Sequence, residues 1–271
     1  MPQFLAALNE QVDTTRNIVI FALIMARVMS IVVLVPFLGG KNAPPEVKMG
    51  VGVTLTLILW PTVLHGATGD VPLGPVSFVL MMLKEVFVGL TIGFICAEIF
   101  YTLEMSGQFI DLLRGANQIQ VQVPQISDRS SAFGTLQYQL MLVLFLSLGL
   151  HRTFLEALFQ SFLVIPINDW PALHTGYWNY VDAMMRISAE ILLVSVMIAM
   201  PVGIVCLITE TSFGLINRVA PQINAYFMAM PAKVIAGIII FFFATSMIVE
   251  RMLLHSTEML NVLDDVLILM G

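Results

Sequence analysis

Ionisable side chains lie inside apolar stretches of this sequence, where they could relay protons, bind an ion or pair with one another. Arg27 lies within IVIFALIMARVMSIVVLV, and Glu98 lies in a run that extends over 76–103. The other ionisable residues of this kind are Arg186, Glu190, Glu210 and Lys233. An ionised group at the centre of a bilayer costs about 2.5–3.5 kcal/mol or more. These groups must therefore face protein, water or each other rather than lipid.

Motifs for catalysis or metal binding are absent from the sequence. It contains no HExxH, Walker loop, GxGxxG, CxxC or GxSxG pattern, and its four histidines have no metal-ligand spacing. Cys96 and Cys206 lie in apolar runs and are typical of small core residues. We therefore expect no enzymatic activity, no cofactor and no metal. Glu98, Asp111 and Glu210 could relay protons, but we favour the interpretation that these carboxylates are buried and paired.

The composition is that of a membrane protein. The 271 residues are 58% hydrophobic and 11% charged, with a mean hydropathy of +0.92, whereas soluble domains have about 25% charged residues. The formal net charge of −6 argues against a nucleic-acid partner, which requires basic patches. It also argues against a polybasic lipid anchor.

Long apolar runs separated by proline and glycine predict an all-α fold. The runs cover 17–37, 49–64, 76–103, 132–150, 154–165, 183–208 and 225–249. A last segment, 252–270, is amphipathic. Its apolar residues recur at helical spacing on one face and are Met259, Leu260, Leu263, Val266, Leu267 and Met270.

Charges and prolines within these runs predict contacts with other subunits. Pro201 and Pro231 each remove a helical hydrogen bond and predict kinked helices. Neighbouring helices can supply hydrogen-bond partners for the backbone groups that are freed at such a kink. Arg186 and Glu190 are four residues apart and therefore share a helix face. The residues that we expect to contact other subunits are Arg27, Glu98, Arg186, Glu190, Glu210 and Lys233.

One segment, GQFIDLLRGANQIQVQVPQISDRSS at 107–131, differs from its surroundings in being rich in glutamine and broken by glycine. Gly107 and Gly115 permit turns that a helix would refuse, and Pro124 blocks a helix from continuing. Irregular polar backbone at membrane depth is tolerated only where it lines a cavity or is buried in protein. The alternative is an ordinary loop outside the membrane that contains a short strand.

Three stretches resemble the FliR/SctT family of type III export-gate components. The first is PFLGGKNAPPEVKMGVGVTLTLILWP at 36–61, and the second is SGQFIDLLRGANQIQVQVP at 106–124. The third and most specific is FGLINRVAPQINAYFMAMPAK at 213–233, with its Gly-Leu-x-Asn-Arg-x-Ala-Pro-Gln core and Pro-x-Lys element. Together they extend along essentially the whole chain in the family's order.

The resemblance implies a fold of kinked helical hairpins in the bacterial inner membrane, within a flagellar or injectisome basal body. Residues 1–182 would resemble the P subunit of the gate (FliP/SctR). Residues 183–271 would form a hairpin like the Q subunit (FliQ/SctS), followed by the amphipathic helix. The chain would assemble with both subunits to form and close a pore through which unfolded secretion substrates pass.

The resemblance also assigns roles to two groups of residues. Residues 107–124, the plug segment, would extend into the pore and close it. The plug residues are Gly107, Gln108, Phe109, Ile110, Leu113, Arg114, Gly115, Asn117, Gln118, Gln120, Gln122 and Pro124. The turn of the hairpin would either serve as a turn alone or contact the switch protein of the FlhB/SctU family. Its residues are Asn217, Arg218, Pro221, Gln222 and Asn224.

The sequence departs from the family pattern in the plug segment. Val123 stands where members commonly have Asp, and Arg114–Gly115 matches injectisome members where flagellar ones often have Met before the glycine. The choice between flagellum and injectisome therefore stays open, with the flagellar form favoured. A small secondary transporter is the alternative from another class, although no matched pair of broken helices of the kind such transporters contain is evident. An intramembrane enzyme is opposed by the missing catalytic set.

Overall fold

The computed structural model describes residues 14–40, 43–66, 74–115, 131–171, 176–222 and 224–271. These ranges contain seven helices and no strand, which confirms the predicted all-α fold. The helices are α1 Thr14–Leu34, α2 Pro45–Gly66, α3 Pro75–Leu113, α4 Ala132–Ser147, α5 Leu150–Val164, α6 Tyr177–Val219 and α7 Ala225–Met270.

Five of the described helices, α1, α2, α3, α6 and α7, are long and apolar enough to cross a membrane. Helices α4 and α5 pass the same test only as a pair, which is bent by 74°. The bend falls at Gly149, whose φ of +78° a glycine adopts without strain. The sequence places this break between 150 and 154, slightly later than the structure does.

Two predicted boundaries are wrong. The plug segment does not begin with irregular backbone, because α3 continues to Leu113. The runs 225–249 and 252–270 are one helix, α7, because no glycine or proline interrupts the chain between them. Pro201 and Pro231 lie inside α6 and α7. The amphipathic pattern of the last segment is confirmed, since all six of its predicted apolar-face residues are buried.

Two units interleaved in sequence make up the chain. The first consists of the described parts of Met1–Ala97, Gly149–Met184 and Met259–Gly271. The second consists of the described parts of Glu98–Leu148 and Met185–Glu258. The predicted domain boundary between 182 and 183 rests on the resemblance of 1–182 to the P subunit and of 183–271 to the Q subunit. It stays a prediction.

In the first unit, two glycines of α3 bring that helix close to the backbone of α1. A Cβ atom on Gly89 would lie 2.9 Å from the Cβ of Ser30 and 3.2 Å from the carbonyl carbon of Arg27. A Cβ atom on Gly93 would lie 3.3 Å from the Cα of Ile31. The contacts advance in the same direction along both chains, so α1 and α3 run parallel here. Small residues spaced by four permit such close approach of membrane helices.

In the second unit, α3 and α4 are antiparallel neighbours. Gly107 lies against the backbone of Phe133 and Gly134, and the ring centroids of Phe100 and Phe145 are 5.2 Å apart. The contacts therefore advance in opposite directions along the two helices. Gly107 is helical, so its predicted role in a turn is wrong. Its missing side chain instead allows the two backbones to meet.

Candidate functional site

The carboxylate of Asp111, near the end of α3, is the centre of a buried polar cluster. Its Oδ2 accepts hydrogen bonds from Ser131 Oγ at 2.6 Å and from the backbone N–H of Phe133 at 3.1 Å. Its Oδ1 accepts from Arg114 Nη1 at 3.4 Å. We call Asp111, Arg114, Ser131 and Phe133 the clasp. A carboxylate suits this place because the first N–H groups of α4 have no partner within their own helix and carry partial positive charge.

Arg114 links the clasp to two further contacts. Its guanidinium lies over the ring of Phe133, with Cζ 4.4 Å from the ring centroid, an arrangement that stabilises by about 0.5–2 kcal/mol. A Cβ atom on Gly237 of α7 would lie 2.7 Å from Arg114 Cγ. Only a glycine at 237 leaves room for the arginine side chain in this position.

The described residues on either side of 116–130 belong to the clasp or adjoin it. On one side, Gly115 ends α3 with a φ of +77°, and its N–H donates to the carbonyl of Leu112 at 3.0 Å. On the other side, Ser131 is the N-cap of α4, with Oγ accepting from the N–H of Gly134 at 2.9 Å. The plug residues Asn117, Gln118, Gln120, Gln122 and Pro124 lie outside the described residues.

Five other predicted plug residues lie in the last two turns of α3, namely Gly107, Gln108, Phe109, Ile110 and Leu113, whereas Arg114 and Gly115 follow the helix. Ile110 is fully buried and packs in a cluster with Ala199, Val202 and Cys206 of α6. Gln108 is exposed, and Leu113 is 42% exposed. The predicted irregular backbone is therefore wrong for 107–113.

An apolar groove of about 360 Å³ lies beside this part of α3. Phe109 and Leu113 form one wall, and α6 forms the other. The α6 residues are Val196, Ala199, Met200, Gly203, Ile204 and Leu207.

Arg27 is fully buried in the first unit, and its partners all belong to this chain. Its Nε lies 2.5 Å from Glu85 Oε2, in an ion pair whose side chains are both 0% exposed. Its Nη1 and Nη2 donate to the carbonyls of Ser161 and Ile165 at 2.8 and 2.9 Å. These carbonyls lie at the end of α5, and that of Ser161 also accepts from the N–H of Ile165 at 3.0 Å. Phe162 packs against the guanidinium, with its ring centroid 4.1 Å from Cζ.

Lys84 completes this charged cluster. Its Nζ lies 2.7 Å from Glu85 Oε1 and donates to the carbonyls of Pro166, Ile167 and Asp169 at 3.1, 2.8 and 3.0 Å. One buried carboxylate thus balances two buried cations, and the cations bind the chain that follows α5. The sequence signal for this site is the pair Lys84–Glu85 within the apolar run 76–103.

Glu98 has its partners in the second unit. Its Oε1 accepts from Thr102 Oγ1 at 2.8 Å and lies 3.1 Å from His255 Nε2. The side chains of Glu98 and His255 are both 0% exposed. The prediction that Arg27 and Glu98 contact other subunits is therefore wrong, because both side chains are enclosed and paired within their own chain.

Residues 18–259 match the family described as bacterial export proteins, family 1. The chain belongs to this family. It is 29% identical to Yop proteins translocation protein T of Yersinia pestis, over 94% of this chain and 95% of that protein. It is 26% identical to flagellar biosynthetic protein FliR of Caulobacter vibrioides, over 83% of this chain and 88% of that protein. It is 27% identical to secretion system apparatus protein SsaT of Salmonella typhimurium, over 80% of this chain and 83% of that protein.

These matches confirm the predicted membership of the FliR/SctT family. They include both a flagellar protein and proteins named for translocation or secretion. The choice between flagellum and injectisome therefore stays open.

The remaining charged residues predicted to contact other subunits lie on α6 and α7, the two longest of the described helices. Lys233 is nearly buried, and its Nζ lies 3.4 Å from Glu210 Oε2, whose side chain is 60% exposed. Arg186 is also exposed. Contacts of Arg186, Glu190, Glu210 and Lys233 with other subunits stay a prediction.

The predicted hairpin turn separates α6 from α7 in this family member. Asn217 and Arg218 lie in the last turn of α6, where a cation complements the helix dipole. Asn224 directly precedes α7, and its carbonyl accepts from the N–H of Met228 at 3.4 Å. The five residues of the turn, Asn217, Arg218, Pro221, Gln222 and Asn224, are all exposed. Their contact with a switch protein stays a prediction.

Within the part of the chain that the structure describes, no three His, Cys, Asp or Glu side chains are grouped closely enough to hold a metal ion. The carboxylates of the site instead accept hydrogen bonds or face cations of the same chain. These buried polar contacts can hold neighbouring helices together: Asp111 joins α3 to α4, and Arg27 joins α1 to the end of α5.

Proposed function

We propose that this chain is a non-enzymatic subunit of a type III protein export gate in the bacterial inner membrane. It assembles with P-type (FliP/SctR) and Q-type (FliQ/SctS) subunits around a pore for unfolded secretion substrates. Membership of a family of bacterial export proteins supports this role. So do the names of the relatives, which refer to translocation, a secretion system and flagellar biosynthesis.

The observation that carries the assembly proposal is the length of exposed apolar surface on α6. Its exposed apolar side chains extend from Tyr177, 76% exposed, to Val219, 86% exposed. At 1.5 Å per residue this stretch is about 60 Å long. On α7 the exposed apolar side chains extend as a near-continuous series from Phe227 to Leu254, which is about 40 Å.

Lipid alone covers too little of α6. The hydrocarbon core is about 30 Å thick, and even a helix tilted by about 40° has only about 40 Å of its length within it. About a third of the apolar stretch of α6 therefore needs another cover. Because soluble monomers rarely expose large apolar patches, we assign that cover to sister subunits.

The plug segment supports pore closure in two ways. Its described part, 107–115, lies beside an apolar groove and ends at the clasp. Arg114 and Ser131, which lie on either side of residues 115–130 in the sequence, both hydrogen-bond to the carboxylate of Asp111. We propose that residues 107–124 close the pore and that the exposed hairpin turn contacts the FlhB/SctU-type switch protein.

Co-expression with P-type and Q-type subunits tests the assembly. The native mass of the purified material should correspond to a complex that contains all three proteins. A solitary chain that is stable in detergent and binds a small solute would refute the proposal and favour the secondary transporter.

Deletion of 117–124 tests pore closure. In complexes that assemble normally, the deletion should make the membrane permeable to ions, because the clasp and the helices remain while the segment is lost. Membranes that stay tight despite a normal amount of complex would refute the plug role.

A further inference from the structure

A cavity of about 170 Å³ lies between the last part of α6 and the first part of α7. Lys233 borders it from α7, and Glu210 and Asn217 border it from α6. The apolar part of its lining includes Phe213, Ala225 and Ala229. Since about 10–15 Å³ is enough to hold one water, this cavity has room for the end of a side chain.

Lys233 is a buried cation with too few partners. Its side chain is 9% exposed, and among the described residues the only carboxylate oxygen within ion-pair distance of its Nζ is Oε2 of Glu210, at 3.4 Å. The side chain of Glu210 is 60% exposed, so water screens its charge. An ammonium group has three donors, and its burial is unfavourable unless it is paired and hydrogen-bonded. Lys233 can therefore take a further anionic partner.

Arg114 shows what a fully compensated cation looks like in the same unit. It packs on Gly237, one helical turn after Lys233 and on the same face of α7. Its counter-charge, the carboxylate of Asp111, is itself buried, with a side chain that is 6% exposed. Of these two neighbouring cations, Lys233 is thus the one whose counter-charge lies largely in solvent.

We propose that this cavity binds an aspartate or glutamate side chain of a partner subunit. The inference rests on the proposed function, because the partner is another subunit of the export gate. Lys233 supplies the positive charge, and Asn217 supplies an amide that can donate a hydrogen bond. In the free chain Glu210 takes the place beside Lys233. Because Glu210 is largely exposed, it can turn to water when the partner's carboxylate enters.

The surface around the cavity favours a protein partner over a lipid phosphate. Exposed apolar side chains lie nearer the ends of both helices than Lys233 and Glu210 do. They are Leu215, Ile216 and Val219 on α6, and Phe227 and Met228 on α7. A phosphate lies in the polar headgroup region, so a lipid bound at Lys233 would leave these side chains in headgroups or water. A helix of a partner subunit would cover them.

The test is co-expression with limiting amounts of P-type and Q-type subunits, followed by measurement of the amount of this chain recovered in the complex. Lys233→Met should lower that amount about tenfold or more, because the partner's carboxylate would be buried without a cation. Glu210→Gln should raise it, because the competing carboxylate is lost. Ala229→Leu, which fills the cavity and keeps both charges, should lower it. Glu250→Gln is the matched control, since Glu250 is an exposed carboxylate of α7 outside the cavity.

The opposite signs separate this inference from a purely structural ion pair. If Lys233 and Glu210 only join α6 to α7, Lys233→Met and Glu210→Gln lower the recovery alike, and that result overturns the inference. Normal recovery of Lys233→Met also overturns it and leaves the proposed function standing, whereas an unmodified chain that forms no complex refutes the proposed function itself. If Lys233→Met does not fold, Ala229→Leu decides, and its normal recovery overturns the inference.

Native mass spectrometry of the chain alone distinguishes the two sources of an anion. The chain is mixed with phosphatidylglycerol or with phosphatidylcholine, and the bound lipids are counted. We expect Lys233→Met to leave the count of phosphatidylglycerol unchanged. A loss of phosphatidylglycerol in Lys233→Met, together with normal recovery of the complex, would assign the cavity to a lipid phosphate and overturn the inference.

Discussion

Replacement of Glu85 by glutamine should destabilise the protein severely, although the side chain keeps its shape. The change removes the carboxylate charge that lies 2.5 Å from Arg27 Nε and 2.7 Å from Lys84 Nζ. The side chains of Arg27 and Glu85 are 0% exposed and that of Lys84 is 2% exposed. Two cations would therefore stay buried without their shared buried counter-charge, and Lys84 would keep only the weaker attraction of the exposed Asp169.

The expected loss follows from this burial. Removal of one partner from a buried ion pair costs about 3–5 kcal/mol, which lowers the ratio of folded to unfolded protein about 100- to 4,000-fold. Replacing the whole cluster by Arg27→Met, Lys84→Met and Glu85→Leu should recover only part of this loss. Five backbone carbonyls in 161–169 would still lack the donors that the two cations supply.

The assay is unfolding of the purified chain in mixed micelles with increasing SDS, followed by tryptophan fluorescence. Glu258→Gln is the matched control, since Glu258 is exposed on α7 and its loss should change the free energy of unfolding by less than about 0.5 kcal/mol. If Glu85→Gln proves as stable as Glu258→Gln, the cluster does not stabilise the first unit, and the reasoning from its geometry is refuted.

Three further substitutions test other parts of the fold by the same unfolding assay. Gly107→Ala should cost about 1–3 kcal/mol, because its Cβ would meet the backbone of Gly134; an unchanged stability would contradict the close approach. Gly149→Ala should cost about 1–2 kcal/mol from its φ of +78° alone, since no atom obstructs the new Cβ. His255→Leu should cost about 3 kcal/mol by leaving Glu98 buried without the imidazole, and adding Glu98→Leu should restore part of the loss.

The sequence predicts the helices well but not their contacts. Hydrophobic runs and helix breakers locate all seven described helices, because both signals are local. The length of α7 was underestimated since charged residues at 250 and 251 resemble a boundary. The bend at Gly149 was misplaced by a few residues because only the left-handed conformation of this glycine, not its presence, decides where the helix ends.

Partners of buried charges depend on packing between distant parts of the chain. The sequence predicts that Arg27 does not face lipid, but it does not identify the partner. Glu85 lies 58 positions away, and no local sequence pattern connects the two residues. The Gly89 and Gly93 spacing is the one sequence feature that indicates the close packing of α3 on α1. Without that contact, sister subunits were a reasonable but wrong source of partners for Arg27.

The clasp was missed for a related reason. Arg114 was among the predicted plug residues, whereas Asp111, Ser131 and Phe133 were not. Ser131 directly before a helix is a recognisable N-cap signal. The hydrogen bond from Ser131 to Asp111 requires the antiparallel packing of α3 against α4. Patterns in a single sequence do not specify that packing.

The interleaving of the two units has a consequence for biosynthesis. Residues 259–271 belong to the first unit together with the earliest part of the chain, and Met259, Leu263 and Val266 among them are buried. A ribosome synthesises these residues only after the whole second unit. The preceding helices of the first unit must therefore wait in the membrane without this segment, and a nascent chain stalled before 259 leaves the first unit incomplete.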